Sequence, residues 1–269
     1  MHAWLGYVRL TFRVVGALLW ALTALSLFEL RALFAPQNQR QSLLDAYVQR
    51  WARGCLWIFG IEHVIRYTAP TSHGARLIVA NHRSPLDIVL LLYMFGGSLL
   101  SHAGVSHWPI MGFVTRRVGT IFVTRASKQS GVRAIQRIRH RLALGHTIGM
   151  FPEGTTFEGD TVHHFRKGFL RASAGLDVEI VPVGVCYAQG DGFVQSTLTQ
   201  HVLKVAVKPR IHVAVVCGAP LASSSLGLSD ASKVQATVQQ LVFEARELFN
   251  SHWERNATTP AHHSHLKTG

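Results

Sequence analysis

His82 and Asp87 lie five residues apart in the densest polar stretch of the chain, Ala80-Asn81-His82-Arg83-Ser84-Pro85-Leu86-Asp87. A carboxylate that accepts a hydrogen bond from an imidazole fixes its tautomer and leaves the other ring nitrogen free as a general base. The same residues also spell a helix start. Ser84 suits the N-cap, Pro85 the first helical position and Asp87 the third, so Ser-x-x-Asp reads equally as a variant capping box. Spacing alone leaves both readings open. Phe151-Pro152-Glu153-Gly154-Thr155 follows an apolar run and predicts a tight turn. Its backbone N–H groups could face an anion, or it is an ordinary turn with an exposed glutamate. Arg166 and Lys167 precede Gly168 and a helix expected from Phe169, where two cations suit an anionic head group or form a basic loop facing acidic lipid. Arg125 ends the stretch Gly119 to Arg125 and either reaches the same cleft or closes a strand.

These residues need a frame that brings them to one edge. Leu77–Ala80, Thr120–Val123, Thr147–Phe151, Glu179–Val185 and Ile211–Val216 read as buried strands. Ile88–Leu100 reads as an apolar helix with a glycine-rich end, and 128–144 as a helix closed by Gly145. A final helix carries Leu241, Val242, Ala245, Leu248 and Phe249, with Ser229 or Asp230 as its cap. Strands alternating with helices predict an α/β fold with a mostly parallel central sheet flanked by helices. His82 then falls at the carboxyl end of a strand, where open α/β sheets place ligands. Pro182 interrupts an apolar run and predicts an edge, a bulge or a strand start.

The 269 residues carry 27 Lys and Arg against 14 Asp and Glu, a formal charge of +13 with only 15% charged residues. Low charge density excludes disorder, and the positive sign suits an anionic membrane surface or a nucleic acid. Val14–Phe28 is an apolar run of fifteen residues flanked by Arg9, Arg13, Glu29 and Arg31. It is short for a span of about 20 residues, yet Trp4 and Tyr7 could lengthen it at an interface. No small-x-small cleavage site follows it, so a membrane-inserted or half-embedded helix is expected before a cleaved signal or a soluble core helix. Tyr47–Ile61 mixes tryptophans with Arg50 and Arg53, as an interfacial amphipathic helix would, and Pro36 separates the two. Cys55, Cys186 and Cys217 are too scattered for a disulfide framework or zinc module, and read as buried thiols in a reducing compartment. The last two lie in apolar strands as core residues rather than nucleophiles.

In order, these stretches resemble the lysophospholipid acyltransferase family that includes the 1-acylglycerol-3-phosphate acyltransferases. Its first motif, Asn-His-x4-Asp, corresponds to Asn81, His82 and Asp87; its second, Gly-x-x-Phe-x-x-Arg, to Gly119, Phe122 and Arg125. Its third, Phe-Pro-Glu-Gly-Thr, corresponds to Phe151 to Thr155, and its fourth centres on Pro182. The resemblance covers residues 40 to 220. It implies that His82 deprotonates an acceptor hydroxyl, which attacks the thioester of acyl-CoA or acyl carrier protein. It further implies that Asp87 orients His82, that backbone N–H groups near the third motif hold the oxyanion, and that Arg125, Glu153, Gly154, Thr155, Arg166 and Lys167 bind the acceptor. No metal and no cofactor beyond the acyl donor is implied. Residues 1–60 become membrane-anchoring helices, 61–250 the acyltransferase domain and 251–269 a loose tail. The active site is expected on the cytoplasmic face of a membrane.

Two positions depart from the phosphatidate-forming members. Thr156 stands where many carry Arg, and His102 to Pro109 lacks a Lys that many carry. Lysophosphatidate is the first expected acceptor, and lyso-ornithine lipid, which has no phosphate, a close second. A non-catalytic lipid-binding protein is the rival of another class. No nucleic-acid reader motif, Gly-x-Ser-x-Gly or His-Glu-x-x-His appears, and His262, His263 and His265 lie in the tail.

Overall fold

Mostly apolar segments of two to nine residues, cut by glycine and polar turns, form the strands here, and the longer periodic segments form the helices that cover them. A computed structural model describes residues 2–69, 74–102, 116, 119–124, 127–192 and 198–254. In chain order the elements are α1 (His2–Phe34), α2 (Arg40–Phe59), β1 (Ile61–Tyr67), β2 (Arg76–Ala80), α3 (Leu86–Phe95), β3 (Ser98–His102), β4 (Ile121–Val123) and α4 (Lys128–Ala143). They continue with β5 (Thr147–Met150), α5 (Gly168–Ser173), β6 (Glu179–Tyr187), α6 (Leu198–Val207), β7 (Ile211–Cys217), β8 (Leu221–Ala222) and α7 (Ala231–Phe249).

The sheet has the order β1-β7-β6-β2-β5-β3-β4, with β8 on the side of β6. Strands β2 to β6 run parallel to one another, whereas β7 and β8 run against β6, and β1 follows β7. The sheet is therefore mixed, mostly parallel at its centre. Alternation along β2 divides the core. Leu77 and Val79 join Ile138 and Leu142 of α4, Phe169 of α5 and Val238 of α7. Ile78 and Ala80 face the other way, to Ala52 and Leu56 of α2, Leu90 and Leu91 of α3 and Val205 of α6. Because β2, β5 and β6 are parallel, their ends at Ala80, Met150 and Tyr187 meet at one edge of the sheet.

Two expectations change. The apolar run Ile88–Leu100 is not one helix: α3 ends at Phe95, and Ser98–Leu100 belong to β3. Gly96 and Gly97, at φ 64° and 72°, make the turn in a backbone region that other residues enter only with strain. Pro182 sits inside a central strand rather than at an edge. It lies where the neighbour of β6 changes, between the β8 pairing at Glu179–Ile180 and the β7 pairing that starts at Val183, so its missing N–H breaks no ladder bond on that side.

The apolar N-terminus is a helix much longer than its fifteen-residue apolar run, and Trp4–Phe34 is long and apolar enough to cross a membrane by length and composition. Helix α1 lies along the domain. The Trp20 Nε1 donates to the Trp51 carbonyl at 3.0 Å, and Phe28 meets Tyr47 edge-on at 5.8 Å. Arg9 donates to the Val207 carbonyl, and Arg13 to those of Ala206, Lys208 and Pro209. These are the carbonyls a helix end leaves unpaired, here at the end of α6. Phe12, Leu19, Leu22, Leu30 and Leu33 face outward. Helix α2 starts at Arg40 and buries one face, with Val48, Ala52 and Leu56 in the core, while Trp57 is exposed.

Candidate active site

Strand β2 runs from the core into Asn81, whose side chain exchanges two hydrogen bonds with the Val185 backbone at 2.8 and 2.9 Å. That bond pair extends the β2–β6 ladder past its last partners and fixes where the next residue emerges. His82 follows at the sheet edge, half-buried, with its Nδ1 2.8 Å from Asp87 Oδ2. Asp87 is fully buried. Its Oδ2 also accepts from the Arg83 and Ser84 N–H groups at 2.6 and 2.8 Å, and its Oδ1 accepts from the Tyr187 hydroxyl at 2.7 Å. Both readings of Asp87 hold together. It reaches back to backbone N–H groups as a capping carboxylate does, and the same oxygen engages the imidazole. The helix starts one residue later than predicted, after Pro85, and Ser84 Oγ accepts from the Leu86 N–H at 3.2 Å.

Tyr187 is wholly enclosed, and burial, with the neighbouring Asp87 carboxylate second, pushes its phenol well above the usual tyrosine range. It stays protonated and donates to Asp87. Phe151 stacks on the His82 ring at 4.0 Å and 11°, holding the imidazole plane. With Nδ1 committed to Asp87, a proton acceptor facing outward must be Nε2.

Glu153, expected at the acceptor, is turned inward and buried. It accepts from the His82 N–H at 2.6 Å, from Arg83 Nη1 at 3.0 and 3.2 Å, and from the His163 N–H at 2.8 Å. Arg83, itself buried, donates further to the carbonyls of His82, Gly159 and Thr161. One buried ion pair thus ties the loop after β2 to the loop after β5. Gly154 has φ 77°, and an added Cβ would stand 2.8 Å from the guanidinium carbon of Arg166, which therefore lies over the Pro-Glu-Gly turn. Arg166 and Lys167 are exposed, and Thr155 and Thr156 half-buried. Arg125 and the 103–109 stretch lie outside the described residues, as does the tail from 255. The structure therefore brings His82, Asp87, Glu153, Gly154 and Arg166 around one edge, and leaves Lys167 at the start of α5 facing solvent.

Spacing missed Arg83, Tyr187 and a strap from α7. Gln239 accepts from the Val162 N–H, Gln235 from the Phe165 N–H, and Arg246 holds Asp160 through two bonds of 2.7 and 2.9 Å. Arg83 was visible inside the polar stretch, but nothing in sequence distance pairs it with Glu153. The three cysteines are buried, and burial pushes each thiol up to about 12, so none is a ready nucleophile. Among the described residues, no group of three or more His, Cys, Asp or Glu could hold a metal ion.

A family model described as "Acyltransferase" matches residues 60–186. The lyso-ornithine lipid O-acyltransferase of Pseudomonas aeruginosa is 33% identical over 141 residues, 51% of this chain and 53% of that protein. The 1-acyl-sn-glycerol-3-phosphate acyltransferase of Neisseria meningitidis is 22% identical over 157 residues, 58% of this chain and 60% of that one. The chain thus spans little more than half the length of these curated relatives. Among solved structures, the 1-acyl-sn-glycerophosphate acyltransferase of Thermotoga maritima superposes with a TM-score of 0.70, covering 91% of this chain and 98% of that one at 17% identity, a likeness of fold.

Proposed function

Since this chain belongs to the lysophospholipid/glycerophosphate acyltransferase family through residues 60–186, we propose that it transfers a fatty acyl group from a thioester donor to the free hydroxyl of a lyso-ornithine-type lipid. The observation that carries the chemistry is the 2.8 Å contact between His82 and a buried Asp87 that also accepts from three other protein donors. His82 Nε2 takes the acceptor's hydroxyl proton as the oxygen attacks the thioester carbonyl. A C–O bond forms, the C–S bond breaks, and the proton passes from His82 to the departing thiolate. Asp87 stabilises the transient imidazolium, and no acyl-enzyme is required. Pro152 has no N–H and the Gly154 N–H donates to the Phe151 carbonyl, so the N–H groups of Glu153 and Thr155 are the candidates in this turn for holding the oxyanion.

Two features support a phosphate-free acceptor. Relatives 32–33% identical carry the lyso-ornithine name. Thr156 also stands where many phosphatidate-forming members of the resemblance carry arginine. Lysophosphatidate is the second reading, favoured by Arg166 over the Gly154 turn, where a guanidinium could meet a phosphate. We further propose that residues 1–60 anchor the enzyme, with the outward apolar face of α1 in one leaflet and the site on the cytoplasmic side. The ties from Arg9 and Arg13 to the α6 end support a helix lying along the domain rather than standing away from it.

The test offers purified full-length protein lyso-ornithine lipid and lysophosphatidate side by side, with palmitoyl-CoA and with palmitoyl acyl carrier protein. Faster transfer to the ornithine lipid, shifted toward lysophosphatidate in Thr156→Arg, is expected. Equal or greater wild-type transfer to lysophosphatidate would reverse the order of the two acceptors.

A further inference from the structure

From Ile88 to Pro152 the chain holds eight Lys and Arg and not one Asp or Glu, and from Thr161 to Leu176 it holds Arg166, Lys167 and Arg171, again with no acid. Much of this charge folds onto one surface. Helix α4 buries Ala134, Ile138 and Leu142 against the sheet, which turns Arg133, Arg137 and His140 outward at i, i+4 and i+7. Helix α5 packs beside it, with Gly168 next to Ile135, and presents Arg171 and the preceding Lys167 to solvent. Arg139 joins the two by donating to the Ala174 carbonyl. Exposed Val132 provides an apolar point among these cations.

The place of this surface decides what it fits. Helix α4 begins just after β4, which is parallel to β3, and β3 to β5, so its first turns stand at the sheet edge that carries His82. Yet α4 and α5 cover the face of the sheet to which Leu77 and Val79 point, while α1 lies beyond α2 and α6 on the opposite face. A bilayer that receives the exposed leucines of α1 leaves α4 directed at water. The surface is also an outward helical face, whose cations from Arg133 to His140 spread over roughly 10 Å of helix axis. Small nucleotides bind in concave sites; an apolar point ringed by charge on an outward face has the form of a protein contact.

We propose that α4 and α5 form the docking surface for a small acidic carrier protein, which delivers the acyl thioester to the site from the aqueous side. This rests on the acyl-transfer reading above and assigns its donor. Contact between the basic helix and an acidic partner speeds encounter and sets orientation, and weakens as salt rises.

The experiment uses the full chain in nanodiscs and its Arg133→Glu/Arg137→Glu variant, both away from the catalytic contacts. Three quantities are read: binding of palmitoyl acyl carrier protein by fluorescence anisotropy, transfer from that donor and from palmitoyl-CoA, and pelleting with phosphatidylglycerol vesicles. The expected result is roughly tenfold weaker carrier binding and a matching fall in kcat/KM with the carrier donor. Transfer from palmitoyl-CoA and vesicle pelleting should be unchanged. Unaltered carrier binding in the variant overturns the proposal, and so does a loss confined to vesicle pelleting, which would assign the surface to lipid. Binding is read without turnover, so a wild-type protein that binds the carrier but transfers from neither donor would overturn the acyl-transfer reading and leave the docking surface standing.

Discussion

Asp87 engages four partners with two oxygens: the His82 imidazole, the Arg83 and Ser84 N–H groups and the Tyr187 hydroxyl. A buried carboxylate so held cannot swing away from the imidazole. Tyr187→Phe removes one donor and leaves Oδ1 buried without it. This variant should lose about 1–3 kcal/mol of stability. Its kcat should fall while KM for the acyl donor stays constant; a wild-type kcat in a folded variant would make the hydroxyl merely structural. The five-residue spacing of His82 and Asp87 put their pairing within reach in the sequence but left it level with a helix cap, and the structure shows both contacts. Tyr187 was not within reach, because it arrives from β6, a hundred residues away, and only the β2–β6 register brings it over Asp87.

The loops after β2 and β5 are one unit because Arg83 and Glu153 pair inside the protein, with side chains 3% and 0% exposed. Removing one charge of such a pair leaves the other unmatched, at a cost of about 3–5 kcal/mol. Glu153→Gln should therefore lower Tm and free the 151–163 loop, with hydrogen exchange rising there first; unchanged exchange would show that the α7 strap alone holds it. At the same scale, Arg13→Ala should loosen α1 from the α6 end and cost about 2 kcal/mol, measured by denaturant unfolding in detergent. Local pattern revealed β2, α4 and β7 well, since their apolar runs end at turn residues. It failed at Ile88–Leu100, where helix and strand are equally apolar and only the two glycines betray the boundary. It also misjudged Pro182, because a strand's neighbours on each side are a tertiary fact.

Across the whole molecule, the sheet separates two surfaces of different chemistry, an apolar one on α1 and a basic one on α4 and α5. Composition gave both ingredients without their arrangement. The apolar face should govern membrane binding: Leu19→Glu with Leu22→Glu should release the protein from phosphatidylglycerol vesicles in a sedimentation assay, and undiminished pelleting would remove α1 as the anchor. Everything else depends on the base at the sheet edge. The most direct measurement is acyl transfer to lyso-ornithine lipid by wild type and His82→Ala, purified in detergent, with far-UV circular dichroism matched between them. The geometry predicts that the variant stays folded and loses about 10²–10⁴-fold in kcat. A folded His82→Ala protein that turns over at the wild-type rate would contradict the assignment of the base, and with it the chemistry proposed for this site.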